Sequence, residues 1–158
     1  SEVARSAGTT SDTVERYIDI LEKAYIVFRL PAFARNLRNE IKKNQKIYFY
    51  DNGIRNAVIG NYNYLSNRSD LGPLWENYLI SERRKYNSYN GYYGHTYFWR
   101  TQQQQEIDYI EEMDGNISAF EFKWNPGKQA RFSLTFTNNY HPDRTELVHS
   151  NNYESFLY

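Results

Sequence analysis

The chain has 158 residues, of which 40% are hydrophobic and 24% charged, a balance typical of globular domains rather than of disordered segments. Its 19 basic and 19 acidic residues give a formal net charge of zero, whereas non-specific nucleic-acid binders usually carry a basic excess. The absence of cysteine excludes disulfides and thiolate metal sites, and it is compatible with the cytoplasmic location that we expect. No apolar run approaches the roughly 20 residues that a bilayer crossing needs, so we expect no membrane span.

Residues 1–30 have the pattern of two helices separated by a turn. The first helical pattern begins with the chain, and because the chain also lacks an initiator Met we expect a piece of a longer protein. Ser11 or Asp12 is placed to cap the second helix. Apolar residues then recur at i, i+3, i+4 and i+7, which predicts one buried helical face: Val14, Tyr17, Ile18 and Leu21.

Two β-type segments follow, at residues 24–30 and 46–50, and the signal Asp51-Asn52-Gly53 predicts a turn after the second. Two helices followed by two strands predict a winged helix over residues 1–58. The connecting loop carries five basic residues: Arg35, Arg38, Lys42, Lys43 and Lys46. They either contact DNA phosphates as a basic wing or form a solvated hairpin tip, where Glu40 dilutes the charge. Many winged helices bind proteins rather than DNA.

The second unit is expected at residues 59–158, after a loop over residues 54–72 that is rich in Gly, Asn and Ser. A helix is predicted from Leu71 to about Lys85, since several apolar residues share one face. Strands are expected at residues 96–100, 106–110 and 118–124, followed by a helix or loop and a last strand at 146–149. The turn signal Asp114-Gly115-Asn116 makes a hairpin of the second and third of these strands.

Tyrosines cluster between this helix and the strands, at Tyr86, Tyr89, Tyr92, Tyr93 and Tyr97. They could stack on nucleic-acid bases, or form a packed loop or a partner interface. The preceding basic run, residues 83–85, either contacts phosphates or stays in water, where it interacts favourably with the helix dipole.

Charged side chains are predicted to converge on the hairpin. Side chains alternate between the faces of a strand, so Asp108 is expected to share a face with Glu106, opposite to Ile107 and Tyr109. In the partner strand Glu121 and Lys123 share one face, opposite to an apolar one. Across the hairpin Asp108 lies near Glu121, which brings two carboxylates and one ammonium together.

This grouping suits Mg²⁺, or Mn²⁺, because such hard cations take one or two carboxylates together with water and substrate phosphate. Asp108 and Glu121 are the candidate metal ligands. The cation can lower the pKa of a water and stabilise charge on a phosphodiester, and Lys123 could position the water. Glu76, on the preceding helix, could add a third carboxylate. The alternative is a solvated face with cross-strand pairs worth well under about 1 kcal/mol.

Three segments of the second unit resemble the PD-(D/E)xK nuclease superfamily. They are Tyr97-Phe98-Trp99-Arg100-Thr101, Glu106-Ile107-Asp108-Tyr109-Ile110 and Ala119-Phe120-Glu121-Phe122-Lys123. Nearly the whole chain is also similar to an uncharacterised C-terminal domain of prokaryotic AAA+-type ATPases. The matching residues include Thr13-Val14, Tyr17, Leu21-Glu22, Lys46-Ile47-Tyr48-Phe49, Asp51-Asn52-Gly53 and Gly72-Pro73-Leu74-Trp75-Glu76-Asn77.

The resemblance implies an α/β (α+β) fold, in which an N-terminal winged helix-turn-helix precedes a restriction-endonuclease-like mixed sheet flanked by helices. It implies catalytic roles for Glu76, Asp108, Glu121 and Lys123, with metal held by Asp108 and Glu121. Ile107 departs from the Pro that often precedes the Asp in this superfamily.

The resemblance further implies an ATPase domain upstream in the same parent chain. No G-x-x-x-x-G-K-[ST] occurs here, so we expect no ATP binding by this chain. The expected partners are DNA, that ATPase domain, and a protein partner or a second copy. Two functions remain open: Mg-dependent cleavage of DNA, and a catalytically silent module that recognises DNA or protein for the ATPase. A regulatory or oligomerisation module is a third alternative, which only the aromatic surplus favours.

Overall fold

The computed structural model describes residues 2–35, 40–41 and 44–158. Within these residues the chain forms six α-helices, six strands and a short 3-10 turn at Leu65–Asn67. The helices are α1 (Glu2–Ser6), α2 (Ser11–Lys23), α3 (Asn52–Ile59), α4 (Leu71–Tyr89), α5 (Leu134–Tyr140) and α6 (Glu154–Leu157). The strands are β1 (Val27–Pro31), β2 (Gln45–Phe49), β3 (His95–Arg100), β4 (Glu106–Met113), β5 (Asn116–Phe122) and β6 (Arg144–Val148). The predicted mixed α/β class is confirmed.

Helix α2 begins at Ser11, one residue earlier than a Ser11 cap and two residues earlier than an Asp12 cap would place it. Thr10 is the N-cap, and its hydroxyl oxygen accepts a hydrogen bond of 3.2 Å from the backbone N–H of Thr13. Thr10 takes this role because its extended backbone (φ −86°, ψ 155°) directs the side chain at the first free amides.

The predicted burial of the apolar face of α2 is wrong. Tyr17 is 65% exposed and Leu21 37% exposed, and α2 contains no fully buried residue. The reason is that α2 turns its acidic side toward β1, where Arg29 pairs with three carboxylates. These are Glu15 at 3.2 Å, Asp19 at 2.7 Å and Glu22. The helix is therefore held to β1 largely by ion pairs, and much of its apolar stripe faces outward.

Strands β1 and β2 form the predicted antiparallel hairpin, from the pair Val27 and Phe49 to the pair Pro31 and Gln45. The turn predicted at Asp51-Asn52-Gly53 is wrong, since α3 begins there. The Asp51 carboxylate caps α3 by accepting a 2.9 Å hydrogen bond from the Ile54 N–H. Helix α3 thus occupies part of the segment predicted as loop.

The basic loop between β1 and β2 is only partly described. Arg38, Lys42 and Lys43 lie outside the described residues. Arg35 forms an ion pair with Glu112. Glu40 does not lie at a solvated tip, because it is buried and accepts a 2.7 Å hydrogen bond from the Trp99 indole N–H. The described part of this loop is thus attached to the second unit.

The second sheet has the strand order β3-β4-β5-β6, with β3, β4 and β5 antiparallel and β6 parallel to β5. The predicted hairpin between β4 and β5 is confirmed, since Asp114 (φ 54°) and Gly115 (φ 85°) adopt the left-handed backbone that its tight turn requires. Helix α4 is longer than predicted and ends at Tyr89.

Apolar clusters cover both faces of this sheet. One cluster joins the sheet to α4 and α6, and it also contains Phe28, Leu30 and Tyr48 of the hairpin. The other packs the opposite face against α5 through Phe136. The first cluster thus joins residues of both predicted units. No helix among the described residues is long and apolar enough to cross a bilayer.

Strand β4 departs from simple alternation. Trp99 pairs with Ile107 but Tyr97 pairs with Ile110, so β4 has one more residue than β3 over this stretch, which is a β-bulge. Ile107 and Tyr109 consequently belong to clusters on opposite faces. The prediction that both face the same way is therefore wrong. The bulge lies at Asp108.

Candidate functional site

The bulge places the Asp108 carboxylate between β4 and β5. Regular pairing of these strands ends at Tyr109 and Phe120. One step further, an oxygen of Asp108 accepts a 2.8 Å hydrogen bond from the backbone N–H of Phe122. The side chain thus takes the place of a backbone partner, which fixes its direction while β4 bends away.

Asp108, Glu121 and Lys123 converge at this point. The carboxyls of Asp108 and Glu121 lie close enough for the charge of one to raise the pKa of the other. The Lys123 ammonium lies 3.6 Å from Glu121 Oε2 and 4.0 Å from Asp108 Oδ2. The two carboxylates are largely buried, with side chains 15% and 10% exposed, whereas the Lys123 side chain is 34% exposed. A buried acidic pair therefore has an ammonium at its solvent side.

The pair is electrostatically frustrated. Burial and then the neighbouring Asp108 charge raise the pKa of Glu121 from its ordinary 4.5 to about 8, although Lys123 opposes the shift. Burial and then Glu76 raise the pKa of Asp108, against the stabilising N–H of Phe122. Near neutral pH the two carboxyls therefore retain a proton between them, and a cation could replace that proton.

Glu76 lies beside this pair rather than within it. Its carboxylate accepts a hydrogen bond from the Tyr48 hydroxyl and lies 3.0 Å from the Lys46 ammonium. Among the described residues no three His, Asp or Glu side chains are arranged to hold a metal ion. The structure thus brings Asp108, Glu121 and Lys123 together and leaves Glu76, the possible third carboxylate, as a flanking acid.

Sequence reasoning missed two members of the site, Lys46 and Tyr48. Lys46, expected on the wing, forms a second ion pair of 2.5 Å with Glu106, so it does not lie at a solvated hairpin tip. Tyr48 lies on the same face of β2, and burial and then Glu76 raise the pKa of its hydroxyl. In the sequence, Lys46 and Tyr48 alternate with apolar residues along β2, which places both on one face of the strand. Only the packing of β2 on α4 shows that this face meets Glu76.

A cleft of about 380 Å³ opens next to Glu76. Its walls include Lys46 and Tyr48 from β2, and Arg55 and Pro73 from α3 and α4. The cleft gives Glu76 contact with solvent from the side of the hairpin.

The fold and site define a mixed α/β protein whose central sheet carries a buried acid pair beside a lysine. Residues 71–156 match DUF4143, a domain of unknown function that is found in AAA-ATPase-associated proteins. The chain belongs to this family. Residues 1–64 match a second domain of unknown function, DUF8612.

Several uncharacterized proteins are similar to the chain. One from Mycobacterium tuberculosis and one from Mycobacterium bovis are each 30% identical over 125 residues, which cover 78% of this chain and 27% of each relative. One from Haemophilus influenzae is 31% identical over 52 residues, which cover 33% of this chain and 13% of that protein. The matched part therefore spans 27% of the length of the two mycobacterial relatives. No solved structure matches the chain.

Proposed function

We propose that the chain is the C-terminal part of an AAA+-type ATPase and that it hydrolyses DNA phosphodiester bonds with Mg²⁺ or Mn²⁺. The observation that carries this proposal is the convergence of Asp108 and Glu121 on one ammonium, that of Lys123, which lies within 4.0 Å of both carboxylates. Two hard oxygen ligands beside a cationic donor are what such chemistry requires.

The architecture supports the same proposal. Helices α1 and α2 with the β1-β2 hairpin form the winged-helix unit that we propose over residues 1–58. Helix α4, the mixed sheet and α5 form the restriction-endonuclease-like unit proposed over residues 59–158. In this assignment β4 and β5 carry the two metal ligands.

The residues present fit a divalent cation. Asp108 is held in place by the Phe122 N–H, and burial together with neighbouring carboxylates raises the pKa values of Asp108 and Glu121. Mg²⁺, when bound, lowers the pKa of a water ligand and offsets charge on the phosphodiester. Glu76 would contribute indirectly, by holding Lys46 and Tyr48 at the edge of the site.

The ammonium of Lys123 performs the remaining step. It is half-exposed and placed to donate a hydrogen bond to the attacking water or to a phosphate oxygen. In the hydrolysis the water oxygen bonds to phosphorus, the P–O ester bond breaks, and the leaving oxygen takes up a proton. The products are a phosphate monoester and a free hydroxyl.

Nicking of supercoiled plasmid tests the proposal. With Mg²⁺ or Mn²⁺ the protein should convert supercoiled plasmid to the open-circular form. Asp108→Asn, Glu121→Gln and Lys123→Met should each abolish this activity, while the matched exposed change Asp12→Asn should leave it intact. Intact plasmid at high protein concentration, or equal nicking by Asp108→Asn, would count against cleavage.

A second candidate function is a catalytically silent module that recognises DNA or protein for the ATPase. The formal net charge of zero favours it, since cleavage of DNA by an isolated domain usually requires a basic surface. The absence of a third described carboxylate at the pair favours it as well. This candidate predicts DNA or protein binding that Asp108→Asn does not change.

A further inference from the structure

A groove with a volume of about 680 Å³ lies between the β1-β2 hairpin and the C-terminal half of α4. Its walls combine aromatic rings with two cations: Tyr25, Phe28, Tyr50, Arg84, Lys85 and Tyr89. The rings come from both predicted units, and no carboxylate lines the groove. The groove is therefore suited to a ligand with flat rings and negative charge.

Arg84 supplies the available positive charge. Its guanidinium carbon lies 4.8 Å from the centre of the Phe28 ring and 5.7 Å from that of Tyr50. None of the described carboxylates forms an ion pair with it, whereas Lys85 is paired with Glu82 at 2.6 Å. A guanidinium that is stacked on rings but has no anionic partner can bind a phosphate without losing its support.

Tyr25 stands at the rim in an unusual conformation. It follows Ala24, the C-cap of α2, and has φ 56°, in the left-handed region where glycine is the favoured residue. Its ring is 76% exposed and its centre lies 6.0 Å from that of Tyr50. The turn itself would be satisfied by glycine, so the exposed ring contributes little to the fold while it extends the aromatic wall of the groove.

We propose that this groove binds a single-stranded segment of nucleic acid. Exposed rings at Tyr25 and Tyr89 can stack only on bases that are not paired within a duplex, and stacking of this kind tolerates any sequence. Arg84 would contact a phosphate of the same strand. Binding by base stacking is compatible with a net charge of zero. Stacking supplies part of the binding energy that basic proteins obtain from electrostatic attraction to phosphates.

Helix α4 lines both this groove and the separate cleft beside Glu76. Glu76, Ile80 and Arg84 follow each other at intervals of four residues on one face of the helix, and eight residues of α-helix span about 12 Å. Ile80 between them is buried, so only a strand that crosses over the covering hairpin would reach from Arg84 to the site beside Glu76. If the proposed nuclease function holds, its substrate would be unpaired nucleic acid, and to this extent the inference rests on the proposed function. Binding in the groove itself requires no cleavage.

Fluorescence anisotropy with a labelled oligo-dT strand and with a labelled duplex of equal length tests the inference. EDTA in the buffer prevents cleavage. The strand should bind more tightly than the duplex. Tyr25→Gly and Tyr89→Ala should each weaken strand binding about tenfold. Arg84→Met should weaken it and reduce its salt dependence.

The control is Tyr64→Ala, which removes a ring that is 85% exposed but lies outside the groove, and it should leave binding unchanged. Tyr25→Gly should also retain or increase the unfolding midpoint, because it relieves the left-handed tyrosine, so that lost binding cannot be ascribed to lost folding. An absence of strand binding, tighter binding of the duplex, or equal affinities of Tyr25→Gly and Tyr64→Ala would overturn the inference. A groove that binds a partner protein instead would leave the strand unbound in every variant.

The same assay separates this inference from the proposed cleavage. Asp108→Asn should bind the strand like the unchanged protein, because Asp108 does not line the groove. Strand binding that depends on Tyr25 without any plasmid nicking would support the groove and contradict the nuclease. Nicking that is unaffected by Tyr25→Gly and Tyr89→Ala, without measurable strand binding, would contradict the groove alone.

Discussion

The ammonium nitrogen of Lys46 lies 3.0 Å from Oε1 of Glu76, so that the last strand of the N-terminal hairpin is tied by charge to the helix of the second unit. The same nitrogen lies 2.5 Å from Oε1 of Glu106 on β4. Burial alone would lower the pKa of Lys46, but these two carboxylates outweigh it and the pKa is raised. One ammonium thereby compensates two acids that flank the candidate metal ligands.

Lys46→Met is expected to destabilise the protein by about 1–3 kcal/mol, because it leaves two partly buried carboxylates without a counter-charge. The three side chains are 20%, 25% and 27% exposed, so solvent relieves part of the cost. Urea unfolding measures the change. Lys85→Met is the matched control, since the pair of Lys85 and Glu82 is more exposed and should contribute less than about 1 kcal/mol. Equal losses for both variants would contradict the prediction.

Arg83 and Arg84 are neighbours on α4, but they should contribute very differently to the stability of the fold. Arg83 donates two hydrogen bonds of 2.8 Å to the buried carboxylate of Glu111, which also accepts one of 2.7 Å from Asn87. Arg83→Met should therefore cost about 3–5 kcal/mol, since it leaves a buried charge uncompensated. Arg84→Met should cost about 1 kcal/mol or less, because Arg84 is exposed, has no carboxylate partner in the described structure and loses only its stacking on Phe28 and Tyr50. Thermal and urea unfolding of both variants measure the two losses. Equal losses of stability would contradict the prediction.

The acid pair could be predicted from the sequence because its geometry is local. The turn at Asp114-Gly115 sets the register of the hairpin, and the two-residue period of β5 puts Glu121 and Lys123 on one face. The bulge at Asp108 could not be predicted in this way. It arises from the pairing of β4 with β3, which depends on the register between two separate strands and not on the sequence of β4 alone.

Contacts between the two units could not be predicted either, because they too depend on how separate elements pack together. In the sequence, Lys46 belongs to a run of basic residues typical of a loop. Only the packing of β2 on α4 brings it next to Glu76. The apolar stripe of α2 has the spacing of a buried face, but Arg29 draws the acidic side of the helix toward β1. Periodicity predicts that a face exists, whereas tertiary partners decide which face is covered.

Gly94 is required where the chain enters β3. A Cβ at this position would lie 2.2 Å from the Tyr92 hydroxyl oxygen and 2.5 Å from the backbone oxygen of Glu112. Gly94→Ala should therefore destabilise the protein by about 1–3 kcal/mol through overpacking. Gly72→Ala is the control, because nothing lies within 4 Å of its added Cβ. It should be neutral or stabilising by up to about 1 kcal/mol in the helix. Similar unfolding midpoints for the two variants would refute the steric argument.

The pH dependence of stability should report the frustrated acid pair. Burial and the charge of Asp108 raise the pKa of Glu121 in the folded protein to about 8, from an ordinary value of 4.5. Between these values the folded state binds more protons than the unfolded state, so the free energy of unfolding decreases as pH rises. The contribution is fully present below about pH 4.5 and is lost as pH passes through about 8.

Urea unfolding between pH 5 and 9 should therefore show a decline in stability that Glu121→Gln reduces, because the amide does not ionise. Glu154→Gln, a change on the short helix α6, is the matched control and should retain the decline. Mg²⁺ at millimolar concentration should flatten the decline in the unchanged protein and have little effect on Glu121→Gln, since a cation between Asp108 and Glu121 favours their ionised forms. A pH profile of the unchanged protein that Mg²⁺ leaves unaltered would argue against metal binding at this pair, even if the fold around it is as described.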